Sequence, residues 1–358
     1  MGIKVKRRAI VWLISTVLSL SLAGLSGWAI KHHRDYQNTP AEHLIGNKAA
    51  NVNVLKEKGF PFSFLVVGDT QSREMGERLI KLALKQGDYS FMVLVGDFVK
   101  DPDIWSHRFF ITEMTTEIKP PFPVFLVTGN HDIDYTSTKI KEDDRRVTPE
   151  VYESLYGARN FDFVFNQCLF ILLDIDLRNP TSYLEYLRHT LSQKGEGKKY
   201  IFTFIHFPPK MVPEEAGPLL PNEDEFFSLL ETYKVTTCFF GHYHGYWRGQ
   251  RNGVNLVVVG GGGGRLKSWQ SEWGKFHHIL KVSVDQGIIV EEMITLQERF
   301  SLEDWFEERV FIQLFPALQK IAWMLYFLTL LSLSWGIASL FLFAHSFRNK
   351  KTGENEES

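Results

Sequence analysis

Five apolar runs in this chain each end in residues able to bind a metal ion or carry a proton. Phe62–Val67 leads into Gly68-Asp69-Thr70-Gln71, Phe91–Val95 into Gly96-Asp97, and Pro123–Val127 into Gly129-Asn130-His131-Asp132. Lys199–Ile205 delivers His206, and Val235–Phe240 delivers Gly241-His242-Tyr243-His244. Runs this short and continuous suit strands buried on both faces. Helical patterns at Arg73–Lys85, Ile104–Ile118, Thr148–Tyr156, Ser182–Leu191 and Glu223–Glu231 alternate with them. Phe161–Phe165 and Cys168–Asp174 read as a hairpin, Val254–Val259 as a strand entering Gly260–Gly264, and Ile279–Val284 with Gly287–Ile294 as a closing hairpin. Alternating strands and helices predict an α/β fold, where ligands gather beyond the carboxyl ends of the strands.

The donors at those ends are Asp69, Gln71, Asp97, Asn130, His206, His242 and His244: carboxylates, amide oxygens and imidazoles, with no thiolate. Such a set suits divalent Mn, Fe or Zn. Seven donors exceed what one ion with open positions takes, and they fit two ions sharing a bridging carboxylate. Two ions roughly 3.5–4 Å apart clamp phosphoryl oxygens and activate a water. His242 and His244, one residue apart, face the same side of an extended backbone and read at first as a pair on one ion.

Composition sets the class around this site. A chain of 358 residues, 44% hydrophobic, can bury one large core or two smaller ones. A net charge of −2 with no long basic face gives no reason to expect nucleic acid as a partner. Cys168 and Cys238 lie inside apolar runs and read as core thiols without a disulfide. Ala9–Ile30 and Ile321–Ala344 carry no charge. As helices they are each about 33 Å or longer, enough to span a bilayer. Lys4, Lys6, Arg7 and Arg8 precede the first, and Arg348, Lys350 and Lys351 follow the second. Positive outer flanks predict two cytoplasmic termini and an extracytoplasmic domain between the spans, a vote that Lys31 and Arg34 weaken but do not reverse. A cleaved signal peptide competes for Ala9–Ile30, but its apolar core is long and it lacks an Ala-x-Ala site. The predicted organisation is a cytoplasmic N-terminus (1–8), a span (9–30), a juxtamembrane linker (31–59) and a soluble domain (60–296). An amphipathic juxtamembrane segment (297–320, with its helix at Leu302–Leu314), a second span (321–344) and a cytoplasmic tail (345–358) complete it. Packing of that helix on the domain is the alternative.

Asp69-Thr70-Gln71, Gly96-Asp97, Gly129-Asn130-His131-Asp132, His206-Phe207-Pro208 and Gly241-His242-Tyr243-His244 come in the order of the five blocks of calcineurin-like metallophosphoesterases, which the chain resembles. Tyr156-Gly157, Leu173-Asp174 and Gly260–Gly264 are similar to the purple-acid-phosphatase-like branch. The resemblance spans about Phe62 to Ile294. It implies a four-layer αββα sandwich of two mixed sheets flanked by helices, and a phosphomonoester or phosphodiester as substrate, hydrolysed by metal-hydroxide attack. It implies that Asp69, Gln71, Asp97 and His244 hold one ion, that Asp97 bridges, and that Asn130, His206 and His242 complete the other. His131 then protonates the leaving oxygen or steadies the phosphate, oriented by Asp132. Gln71 stands where most members have histidine; an amide oxygen is a weaker donor, so the first ion binds less tightly or favours Mn over Zn. With membrane tethering, a lipid-linked phosphate joins the candidate substrates. The alternative function is a non-catalytic membrane-bound scaffold that keeps the fold for its surface.

Other residues carry weaker signals. His107, His189, His277 and His278 read as satisfied or solvated side chains, and His32, His33 and His345 as interfacial. Gly260–Gly264 is expected to let backbone approach the metal site, with no helix after it to make a phosphate loop. Arg265, Lys139, Lys141, Arg145 and Arg146 are charges available to a phosphate, and the loops Ile133–Val147 and Lys210–Asn222 are expected to set specificity.

Overall fold

A computed structural model describes residues 2–37, 44–57, 59–136, 146–210, 220–266, 274–297, 302, 305, 308–314 and 322–348. In chain order its elements begin with α1 (Gly2–Gln37), α2 (Ala49–Val54), β1 (Phe62–Val67), α3 (Glu74–Gln86), β2 (Met92–Val95), α4 (Ile104–Thr112) and β3 (Val124–Val127). There follow α5 (Pro149–Tyr156), β4 (Phe161–Phe165), β5 (Cys168–Leu173), α6 (Ser182–Lys194), β6 (Tyr200–Ile205), α7 (Glu223–Thr232) and β7 (Thr237–Phe240). The remainder is β8 (Tyr246–Arg251), β9 (Val254–Val259), β10 (His277–Asp285), β11 (Ile288–Leu296) and α8 (Ala322–Arg348). Two compact units result, Pro40–Gln313 and the paired terminal segments Met1–Thr39 and Leu314–Ser358.

Within Pro40–Gln313 the strands form two mixed sheets, ordered β11-β10-β1-β2-β3 and β4-β5-β6-β7-β9-β8. β1, β2 and β3 are parallel, as are β5, β6, β7 and β9, with antiparallel strands at the flanks. Side-chain alternation explains why the runs are apolar throughout. Phe62, Phe64 and Val66 turn toward the second sheet, while Leu65 and Val67 turn toward the helices α3, α4 and α5. β5 repeats the division: Cys168, Phe170 and Leu172 face the first sheet, and Leu169, Ile171 and Leu173 meet α6 and α7. The interior between the sheets is built of aromatic rings, with Phe64 stacked on Phe91 at 5.0 Å and Phe163 on Phe170 at 4.9 Å. Helix, sheet, sheet, helix: this is the α/β fold of two mixed sheets flanked by helices.

Local differences from the sequence reading have physical causes. The helix read as Ile104–Ile118 stays α-helical only to Thr112, then continues as a π-helical turn, Glu113–Ile118, ending at left-handed Lys119 (φ 52°) ahead of Pro120. β8 was not anticipated. As an edge strand of alternating polar residues it has no apolar run to reveal it. Residues 44–54, read as linker, pack on the first sheet. Ile45 bridges Val124, and the Asn47 amide donates to Leu126 O (2.7 Å) and accepts from Leu126 N (3.0 Å), standing in for a neighbouring strand. Of the predicted Leu302–Leu314 helix, only Leu302, Trp305 and the π-helical Glu308–Leu314 lie among the described residues.

In the other unit α1 and α8 run antiparallel. Thr329 Oγ1 donates to Ser26 Oγ at 2.7 Å and Trp335 Nε1 to Ser15 Oγ at 2.9 Å, while Ser339 and Ser15 are 3.5 Å apart. Both helices contain a stretch long and apolar enough to cross a membrane, Arg7–Lys31 and Trp323–His345. Their outward faces expose Leu18, Leu330 and Phe341.

Candidate metal centre

Strand ends from both sheets converge at one edge of the sandwich. β1 contributes Asp69 and Gln71, β2 Asp97, and β3 Asn130 and His131; β6 contributes His206, and β7 His242 and His244. Leaving a buried strand so sharply requires unusual backbone, and Asp69 (φ 58°), Gln71 (52°), Asp97 (51°) and His242 (68°) all adopt the left-handed conformation. Such strain persists where neighbouring structure over-determines it, and it clusters at functional sites. Here the over-determination is visible. Asp69 N donates to Gly96 O (3.0 Å), Gln71 N to Asp97 O (2.9 Å) and His242 N to Asp69 Oδ2 (2.9 Å), tying the strand ends together.

Close approach also needs glycine. A Cβ on Gly129 would stand 2.2 Å from Asp97 Oδ1, and one on Gly264 would stand 2.7 Å from Asp69 O and 2.9 Å from His244 Cε1. The glycine run after β9 is therefore part of the wall of the site, as its composition suggested.

Asp97, His206 and His242 form one group of donors and Asp69, Asp97 and His244 another, each with donor atoms within 4.8 Å of one another. Asp97 belongs to both. His206 Nε2 lies 3.4 Å from Asp97 Oδ1, and His244 Nε2 lies 3.4 Å from Asp69 Oδ1. Each ring is oriented by a carbonyl behind it: His206 Nδ1 meets Val95 O at 2.9 Å, and His244 Nδ1 meets Arg265 O at 2.7 Å. A carbonyl only accepts, so Nδ1 carries a hydrogen, leaving Nε2 as the nitrogen that would give its lone pair to an ion. Asn130 Oδ1 and His206 Nε2 are buried without a hydrogen-bond partner among the described residues, as expected of atoms reserved for another acceptor of electron pairs.

Electrostatics point the same way. Burial alone would raise the Asp97 carboxyl, but the charge of the nearby His206 and then of His131 draws it well below the usual carboxylate range. Burial would lower His206, yet Asp97 and Asp69 pull it up to about 10. The carboxylates thus create a field that demands positive charge between them. A pair of divalent ions meets that demand, and the residues present fit them.

His131 and Asp132 sit at the rim and behind it. The His131 Nδ1 meets Lys100 O at 2.6 Å, its Nε2 stands 3.9 Å from Asp97 Oδ2, and its amide donates to Asp97 Oδ1 at 2.9 Å. The fully buried Asp132 carboxylate accepts instead from the backbone amides of Asp97 (2.8 Å), Gly129 (2.7 Å) and Val99 (3.2 Å). Burial and the adjacent Asp97 charge push Asp132 up to about 8, against the pull of the Gly129 and Val99 amides. Its partners are the two turns that carry Asp97 and Asn130, and the His131 ring is oriented by the Lys100 carbonyl. His107 completes this layer: buried, and held neutral by desolvation at about 3, it joins Asp132 O (2.9 Å) to the Tyr156 hydroxyl (3.0 Å). His277 and His278 pack against the glycine run, with His277 Nδ1 3.2 Å from Gly261 O and His278 Nδ1 3.0 Å from Phe276 O. The Arg265 side chain is exposed, while Lys139, Lys141, Arg145 and most of the loops Ile133–Val147 and Lys210–Asn222 lie outside the described residues.

Fold and donor set together define an α/β protein with two groups of Asp and His donors that could hold metal ions and that share Asp97. A family model for calcineurin-like phosphoesterases matches residues 62–246, more than half of the chain, and the chain belongs to that family. The family depends on a dinuclear metal centre, and the Asp and His groups above supply donors for one here. Among solved structures the chain is similar to a purple acid phosphatase from yellow lupin seeds, at 17% identity over 66% of this chain and 52% of that one, with a TM-score of 0.49. It thus spans about half the length of the lupin protein. GAP50, the anchor in the inner membrane complex of Plasmodium, is 14% identical over 67% of this chain and 90% of that one (TM-score 0.47). A dimetal phosphatase from Danio rerio is 16% identical over 66% and 99% (TM-score 0.44). No curated protein matches the chain.

Proposed function

We propose that this chain is a membrane-anchored phosphoesterase that uses two divalent ions to hydrolyse a phosphate mono- or diester. One observation carries the reading: both donor groups contain Asp97, which is what a bridging carboxylate requires. Asp69, Gln71, Asp97 and His244 would hold the first ion; Asp97, Asn130, His206 and His242 would hold the second. Bound there, the ions supply water activation at neutral pH and neutralise charge gathering on the phosphoryl oxygens. The chain's own part is to fix the donors, through strained strand ends and carbonyl-backed imidazoles, and to keep a proton donor beside them. His131 keeps Nδ1–H on Lys100 O, so the proton for the departing oxygen would come from Nε2 of the doubly protonated ring. Metal analysis of purified protein with a chromogenic phosphodiester tests this. Two ions per chain and turnover abolished by chelation are expected; metal-independent turnover, or none in fully loaded protein, overturns it.

Replacing Gln71 by histidine restores the stronger donor. The variant is expected to bind Zn about tenfold more tightly, the smaller end of what ligand-shell changes do. Calorimetric titration checks this, and unchanged affinity removes Gln71 from the ligand set.

The anchoring is proposed from the two apolar helices and their polar contacts. Ser26→Cys with Thr329→Cys is expected to cross-link in intact membranes under mild oxidation, since their hydroxyls are 2.7 Å apart. A cleaved N-terminal segment gives no cross-link. The basic outer flanks favour two cytoplasmic termini with the domain on the far side; an extracytoplasmic reporter after Ser358 overturns that assignment. A tethered enzyme works at a surface, which motivates a lipid-linked phosphate as substrate. Efficient hydrolysis of soluble nucleotides, with lipid phosphates in mixed micelles ignored, argues against it.

A further inference from the structure

The turn Gly129–Asp134 carries Asn130 and His131, and Asp132 holds its middle from behind. Its two ends are held by a different group. Thr128 Oγ1 and the Tyr135 hydroxyl, on either side of the turn, both donate to Oδ1 of Asp174. Asp174 is fully buried and follows β5 in the opposite sheet. Arg159 Nη1 donates to its other oxygen, and its own amide donates to Asn160 Oδ1 at 2.9 Å.

We propose that Asp174 is a positioning residue, whose carboxylate grips both ends of the Gly129–Asp134 turn and so sets the placement of Asn130 and His131 in the phosphoesterase site. This rests on the reading of that site given above. A carboxylate suits the task because it accepts from three donors at once, and in a dry interior charge-assisted bonds of this kind are the strong ones. An amide there would turn one donor against another. The grip is itself braced. Arg159 also reaches Asp176 (3.3 Å) and Glu153 (3.0 Å), and Arg178 forks onto Asp176 at 2.8 and 3.0 Å with its guanidinium 5.9 Å from the Tyr135 ring centre. The clamp thereby fixes a turn of the first sheet to the rigid end of the second.

Tyr135→Phe and Thr128→Val each remove one donor and leave the Asp174–Arg159 pair intact, so they keep the fold that Asp174→Asn puts at risk. In the full-length protein in detergent, amide exchange of the 128–135 peptide, measured without added metal, is expected to quicken by about tenfold or more as the turn loosens. With Mn²⁺ supplied, kcat for a benzyl phosphate ester is expected to fall on the order of ten- to a hundredfold, the scale of small misplacements. The 4-nitrophenyl ester, whose leaving group departs without a proton, is expected to lose only roughly a few-fold, with KM unchanged for both. Equal losses on the two esters, or unchanged exchange, overturn the proposal while wild-type turnover leaves the phosphoesterase reading standing. An inactive wild type removes that reading and with it the role assigned to Asp174, even where exchange quickens.

Discussion

Asp97→Asn is expected to cost at least on the order of 10³-fold in kcat, beyond the 10²–10³ lost with a single transition-state donor. Asparagine is isosteric, and its Oδ1 can still accept from the His131 amide that Asp97 Oδ1 now receives at 2.9 Å. The backbone amide of residue 97 keeps its bond to Asp132 (2.8 Å), so the turn is retained. What is removed is negative charge at the position shared by both donor groups. One amide oxygen cannot bridge two cations, so metal content is expected to fall from two ions per chain to one or fewer. Elemental analysis and turnover of a phosphodiester, each beside wild type, check both halves. Near-normal activity with full metal content in the variant would remove Asp97 from the centre of the mechanism. A scaffold that merely keeps the fold predicts a different result, namely no metal-dependent turnover to lose in the wild type.

Much of this site was legible because its residues end apolar runs. A strand buried on both faces must be apolar along its length, and the first polar residues after it are conspicuous; Asp69, Asp97, Asn130, His206 and His242 all stand out in this way. The same continuity hid which sheet each run belongs to, because period-2 alternation disappears when both faces are dry. Phe64 and Leu65 look alike in sequence and face different layers. β8 was missed for the opposite reason, its exposed edge carrying no apolar signal. The supporting layer was the least legible. Lys100 acts through its carbonyl, which any residue would supply, and Asn47 acts by imitating a strand from outside the apolar runs. Asp174 did follow a strand as the ligands do, yet only the packing of the two sheets shows Thr128 and Tyr135 converging on it. His242 and His244 also changed meaning. One residue apart, they looked like partners on one ion, but left-handed backbone at His242 breaks the extended geometry that would align them, and they join different donor groups.

His131→Ala is expected to leave metal content at two ions per chain while lowering kcat by about 10²–10⁴ on esters with alkyl leaving groups. The side chain belongs to neither donor group, and its only tie to Asp97 is a 3.9 Å approach, too long for a hydrogen bond. It is 41% exposed, so truncation leaves no dry cavity, and water can reach the Lys100 carbonyl that the ring now covers. Stability should therefore change by less than about 0.5 kcal/mol, as at other surface positions. A 4-nitrophenyl ester separates the two roles open to the imidazole. Proton donation matters little to a leaving group that departs as a stable anion, so its loss should spare this substrate. Steadying the phosphate by charge serves every ester, and its loss should lower all of them together and raise KM. The geometry favours the first outcome. With Nδ1–H committed to Lys100 O, Nε2 is the one ring nitrogen left to exchange a proton, and it is presented at the rim above Asp97, where a departing oxygen can meet it.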